Sequence, residues 1–248
     1  MPNINAAATD TTLIATEHST WSAARGATNA NTAVPDATPA FGSDRANVAV
    51  RVAFDGSEYT INRTMMAFDV SGISKVPASA TLKIYGFQLA SSDVVIIKVD
   101  DSATGNTSSN FVVGDYSKVT ATKYSAENLS WQVGQYNEVP LNLACRAAIQ
   151  TQSTLKIAIV NSTYDFSNSD PGTIINHRAG MYFAGFSDAN FRPFISYVEG
   201  VSTVEELKRR RRRVRSRGGT TRGFSISRVA APPSSGKVVS NGYKTDGY

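Results

Sequence analysis

Eight of the ten residues from Lys208 to Arg217 are cations: Lys208, Arg209, Arg210, Arg211, Arg212, Arg213, Arg215 and Arg217. Charges packed this closely repel one another unless phosphate, an acidic protein surface or salt compensates them. The run therefore suits docking onto an acidic partner protein, contact with nucleic acid, or a solvated basic tail. Covalent chemistry has far fewer candidates. His18 and His177 are the only histidines and Cys145 the only cysteine, which excludes an internal disulfide framework and any multi-cysteine zinc site. Nothing around Cys145 or His177 resembles a nucleophile signature, and the chain has no glycine-rich phosphate loop and no H-E-x-x-H.

Carboxylates are the remaining catalytic resource. Glycoside hydrolysis needs only two of them, but no acidic pair stands out. Asp100-Asp101 and the stretch from Asp165 to Asp170 fall in loops after apolar runs, where acidic residues solvate turns or, less simply, hold calcium. The expectation is no enzyme activity, no cofactor and no metal. For glycan binding, the aromatic candidates are Trp21, Trp131, Tyr136 and Tyr164, each of which also serves as core or rim. Four N-x-[ST] sequons, at Asn62, Asn106, Asn128 and Asn161, carry little weight in a Thr/Ser-rich chain without a recognisable secretion signal.

These residues must be held by a scaffold, and composition indicates which kind. The 248 residues are 41% hydrophobic and only 18% charged, a low charge content for a helix-rich protein. TLKIYGF (81–87), VVIIKVD (94–100), LKIAIV (155–160) and FISYV (194–198) are β-rich runs between Gly, Ser, Asn and Asp clusters. FVVGDY and GMYFAGF continue the pattern. LNLACRAAIQTQ (141–152) instead suits one short helix capped by Asn142. Many short strands with a single helical insertion predict an all-β, antiparallel jelly-roll β-sandwich over 46–200. Residues 1–45 are weakly patterned and read as an N-terminal arm with the first strands. No apolar run is long enough to span a bilayer, so no membrane partner is expected.

Charge divides the chain again. Residues 1–200 hold 13 Lys+Arg and 17 Asp+Glu, a net of −4, whereas residues 201–248 hold 12 and 3, a net of +9. Residues 201–218 read as a basic helix: Ser202 or Thr203 caps it, Glu205 or Glu206 follows as reciprocal partner, and Gly218-Gly219 stops it. Its apolar seam is too narrow to form a core. Residues 219–248, rich in Gly and Ser with Pro232-Pro233, read as an extended arm that gains order only on docking.

One stretch resembles a known family. INRTMMAFDVSGISKVPASATLKIYGF (61–87) places an arginine shortly before Phe-Asp-Val-Ser-Gly-Ile, then an Ala-Thr-Leu-x-Ile-Tyr strand. YNEVPLNL, LKIAIVNSTYDF and FRPFISYVEG follow in order, the last with Arg192-Pro193. The series is similar to the DNRLRE or disaggregatase-related jelly-roll domains and spans about residues 15–200, leaving the tail unmatched. The resemblance implies a fold like that of carbohydrate-binding modules, found in bacterial surface proteins and bacteriophage virion proteins. Physically, Phe68, Val70 and Ile73 suit the core while Asp69 turns the chain. Arg63, if buried, needs a carboxylate or several carbonyls, and Asp69 is a nearby candidate.

Together these readings set an expectation: a non-enzymatic virion structural protein, whose jelly-roll body is displayed and whose basic extension anchors it to other capsid or tail subunits, as an oligomer in the particle. Two rivals stand beside it. One is a receptor module binding a host surface glycan; the other is a coat protein meeting packaged nucleic acid through the arginine run.

Overall fold

Strand β5 (Tyr59–Asp69) explains the architecture. Successive strand residues face opposite sides, yet every residue from Ile61 to Phe68 is buried. Ile61, Met65 and Ala67 enter one apolar cluster, while Met66 and Phe68 enter another. A strand covered on both faces requires a packed layer on each side. The computed structural model describes residues 1–35, 49–90, 93–127 and 131–200. The helix expected over 201–218 and the arm over 219–248 lie outside the described residues.

The first layer contains β1 (Asn3–Asn5), β12 (Phe194–Val198), β6 (Ser79–Ala90) and β9 (Tyr136–Pro140). The second contains β11 (Ile175–Met181), β4 (Val50–Phe54), β5, β10 (Thr154–Asn161), β7 (Val94–Val99) and β8 (Val119–Lys123). β2 (Thr11–His18) joins it through β5, and β3 (Thr32–Pro35) pairs with β2. All pairings are antiparallel, and the neighbours β12–β6, β6–β11, β5–β10 and β10–β7 are distant in sequence. These are the long crossovers of a jelly-roll sandwich.

β6 belongs to both layers. Its first half pairs with β12 and β9, and from Gly86 onward it pairs with β11. Gly86 permits the crossing, because a Cβ there would stand 1.8 Å from the Gln132 carbonyl oxygen. Between the layers lie Leu82, Ile84, Met66, Phe68, Ile157 and Ile159. Helix α2 (Leu143–Thr151) closes this core with Cys145 and Ile149, and the Asn142 side chain accepts from the Cys145 amide at 3.1 Å as the sequence predicts.

The other face of the second layer carries its own cluster, covered by α1 (Trp21–Arg25), a 3-10 turn (Val113–Lys118) and a π-helical turn (Ser162–Phe166). Two sequence expectations change here. FVVGDY is not a strand: buried Asp115 accepts the amides of Thr104, Gly105 and Val112, which curls the segment over Phe111 and Tyr116. The first strands expected within 1–45 are β1, β2 and β3, and Thr11 to Ala15 on β2 are buried against β5. GMYFAGF remains a strand only as far as Met181. Among the described residues no helix is long and apolar enough to cross a membrane.

Candidate functional site

Arg63 projects from β5 into the second cluster and is 3% exposed. Its Nε and Nη2 donate to Asp165 Oδ2 and Oδ1 at 2.8 and 2.6 Å. Nη1 donates to the Tyr116 carbonyl at 3.0 Å and Nη2 also to the Arg25 carbonyl at 3.1 Å, while the guanidinium lies 4.1 Å from the Tyr116 ring centroid. Burial is the largest single influence and disfavours its charge, but the Asp165 carboxylate and Tyr116 together outweigh it and raise the Arg63 pKa. Burial likewise raises the Tyr116 phenol, whose hydroxyl donates to the Ala24 carbonyl. One guanidinium thus ties all three covering segments to the sheet.

The expected partner Asp69 does not take part. Six residues along one strand is roughly 20 Å, beyond the reach of an arginine side chain. Asp69 is exposed and accepts from the Ser71 amide and hydroxyl, turning the chain after β5. Phe68 and Val70 are fully in the core, with Ile73 packed against it. Arg192 Nε donates to the Phe186 carbonyl, and the Pro193 carbonyl accepts from Ala6.

Of the four aromatic candidates for ligand contact, two are core residues. Trp131 is 2% exposed and donates to the Gly180 carbonyl, and Trp21 is 6% exposed, donating to Asn168 and meeting Tyr59 edge-on. Tyr164 packs edge-on to His177 beside the second cluster. Only Tyr136 belongs to a surface patch. On β6 the inward parity is Ala80, Leu82 and Ile84, so Tyr85 and Phe87 point outward. Tyr85 touches Tyr136, Tyr182 and Phe191 with centroids 4.5–5.6 Å apart. Phe87, Phe186 and Phe194 extend the patch to seven half-buried rings. Most contacts are edge-to-face, the arrangement favoured by aromatic quadrupoles. The Tyr136 hydroxyl donates to the Asn190 carbonyl at 2.6 Å, and Lys83 and Glu138 form an ion pair beside the patch.

Sequence reasoning named one ring of these seven. Four of the others come from 182–194, where the chain after β11 folds back over β6, and no local signal announces that return. The alternation of Lys83, Tyr85 and Phe87 was the available clue, but it becomes decisive only once the inward parity is known.

The catalytic candidates are separated. Cys145 lies in the inter-sheet core, and burial pushes its thiol up to about 12, so it is not a thiolate near neutrality. His177 stands opposite Val52 on the other face of the second layer. The carboxylates named for turns or calcium enter different networks: Asp165 with Arg63, Asp170 with the Tyr59 hydroxyl, Asp100 with the Ser102 amide, Asp101 with Lys98 and Gln152. Among the described residues no three His, Cys, Asp or Glu side chains converge as a metal site. Of the sequons, Asn62 and Asn161 are buried, Asn106 is half-buried, and Asn128 lies outside the described residues. The cations from Lys208 to Arg217 also lie outside them. No protein-family model matches the chain, and no curated protein matches it.

Proposed function

We propose that the chain is a non-enzymatic virion structural protein, in which the β-sandwich body is displayed on a particle and the basic C-terminal segment anchors it to other virion subunits. The observation that carries this reading is a coincidence of boundaries. Residues Met1–Ser202 form one compact unit, and the charge changes from −4 over 1–200 to +9 over 201–248 at the same place. A body with a complete core does not need a strongly cationic extension for stability, so the extension is available for an acidic partner. The likeness of residues 61–87 and 191–200 to DNRLRE-type domains supports the same reading.

Deleting residues 201–248 tests it: the body stays folded and soluble, and particles assembled with it lack the protein. Particles carrying the truncated protein at normal copy number overturn the anchoring role.

A second reading is favoured by the aromatic patch, since half-exposed rings beside charged and amide groups suit the apolar faces and hydroxyls of sugars. Here the body is a module that binds a surface glycan. A glycan array on the full chain separates the two: saturable binding that Tyr182→Ala abolishes promotes the glycan module.

A further inference from the structure

Beside the Arg63–Asp165 pair lies a cavity of about 140 Å³ that neither the anchoring nor the glycan reading uses. Its walls are Ile97 and Val160 from the sheet, Phe166 from the π-helical turn, and the charged trio Arg25, Arg63 and Asp165. Two guanidiniums face one carboxylate, which leaves a net charge of one positive unit in this wall.

The two arginines are not equivalent. Arg63 is committed, with Nε, Nη1 and Nη2 each donating to protein oxygens. Arg25 is held at one point: its Nε donates to the Asp165 carbonyl at 2.6 Å. Among the described residues its Nη1 and Nη2 have no hydrogen-bond partner, and the side chain is 34% exposed. A guanidinium fixed through Nε keeps a planar pair of terminal N–H donors, the geometry that grips a carboxylate at low ordering cost. The cavity thus offers a pre-set fork, one uncompensated positive charge and an apolar floor.

We propose that this cavity binds a small organic monocarboxylate, with the carboxylate on the terminal nitrogens of Arg25 and the organic body against Ile97, Val160 and Phe166. A monoanion balances the single excess charge, whereas a phosphate dianion leaves negative charge against apolar walls. Volume sets the size: room for several waters, or for one compact acid. Such a carboxylate reaches the site either as a free organic acid or as the acidic group of a sugar.

The experiment is calorimetric or NMR titration of the full chain with benzoate, glucuronate and inorganic phosphate. Saturable binding of benzoate marks a free-acid site, and tighter binding of glucuronate than of benzoate marks an acidic-sugar site; both support the proposal. Arg25→Gln weakens the bound acid by roughly tenfold to a hundredfold, as loss of a charge-assisted contact implies. Ala121→Trp, at an exposed position on the cavity rim, blocks entry while leaving both guanidiniums in place. Unchanged thermal melting shows that each variant is folded. No saturation with either carboxylate, phosphate binding more tightly than both, or affinity unaltered in Arg25→Gln overturns the proposal.

Discussion

Arg63 and Asp165, 102 positions apart in the chain, meet in a two-point ion pair at 2.8 and 2.6 Å with both side chains 3% exposed. Pairs of this kind contribute little net stability compared with apolar residues of similar volume, yet removing one partner strands a buried charge. Asp165→Ala is therefore expected to destabilise the body by about 3–5 kcal/mol in urea unfolding. The double variant Arg63→Met, Asp165→Leu should lose clearly less than Asp165→Ala alone. Equal losses would mean that the guanidinium's bonds to the Tyr116 and Arg25 carbonyls, which the double variant also removes, matter as much as the stranded charge.

The same pair shows where sequence reasoning stops. That Arg63, if buried, needs a carboxylate or several carbonyls follows from its charge and its place in a strand. The identity of the carboxylate does not, because the partner arrives on a turn after β10 that packs across the sheet. The four β-rich runs and α2 with its Asn142 cap were legible because each is decided within a dozen residues by side-chain pattern. Thr11 to Ala15 were not: a Thr-rich stretch lacks the alternation of a half-buried strand when both of its faces are covered. FVVGDY misled for a related reason, since Phe111 and Tyr116 are buried by a loop that Asp115 organises through backbone amides, while Val112 and Val113 stay exposed.

Cys145 supplies a pH prediction. Its folded-state thiol is raised from 9.0 to about 12 by burial, so the folded protein holds the proton more tightly than the unfolded chain. Stability contributed by the protonated thiol is fully present below pH 9 and falls as the pH climbs toward about 12. Denaturation midpoints between these limits should decline more shallowly in Cys145→Ala than in the natural chain. In the native protein at pH 8, a thiol reagent should label Cys145 only at the rate of global unfolding.

The patch around Tyr85 makes a separable claim about stability. Its ring meets three other aromatic rings, all half-buried. Tyr85→Ala should cost roughly 2–3 kcal/mol, below the loss for a fully buried aromatic. Tyr85→Phe removes only the hydroxyl bond to the Gly134 carbonyl and should cost about 1 kcal/mol. A Tyr85→Ala melting curve that overlays the natural one would mean the rings do not pack together in solution.

Gly86 tests the strand that both layers share. A Cβ there meets the Gln132 carbonyl oxygen at 1.8 Å, and this neighbour is backbone. Gly86→Ala should destabilise by at least about 1–3 kcal/mol. Amide hydrogen exchange should localise the change to β6 and the 132–137 turn.

The pairing of β1 with β12 has a mechanical consequence. Asn3 stands opposite Ser196, and the Tyr197 amide donates to the Pro2 carbonyl, so incoming and outgoing chain share one margin of the sandwich. Force applied to both ends acts at one corner, on the three-residue β1–β12 ribbon and on the β12–β6 ladder beside it. The ends of the sandwich can therefore be joined, and the chain reopened at another turn, without redrawing the rest.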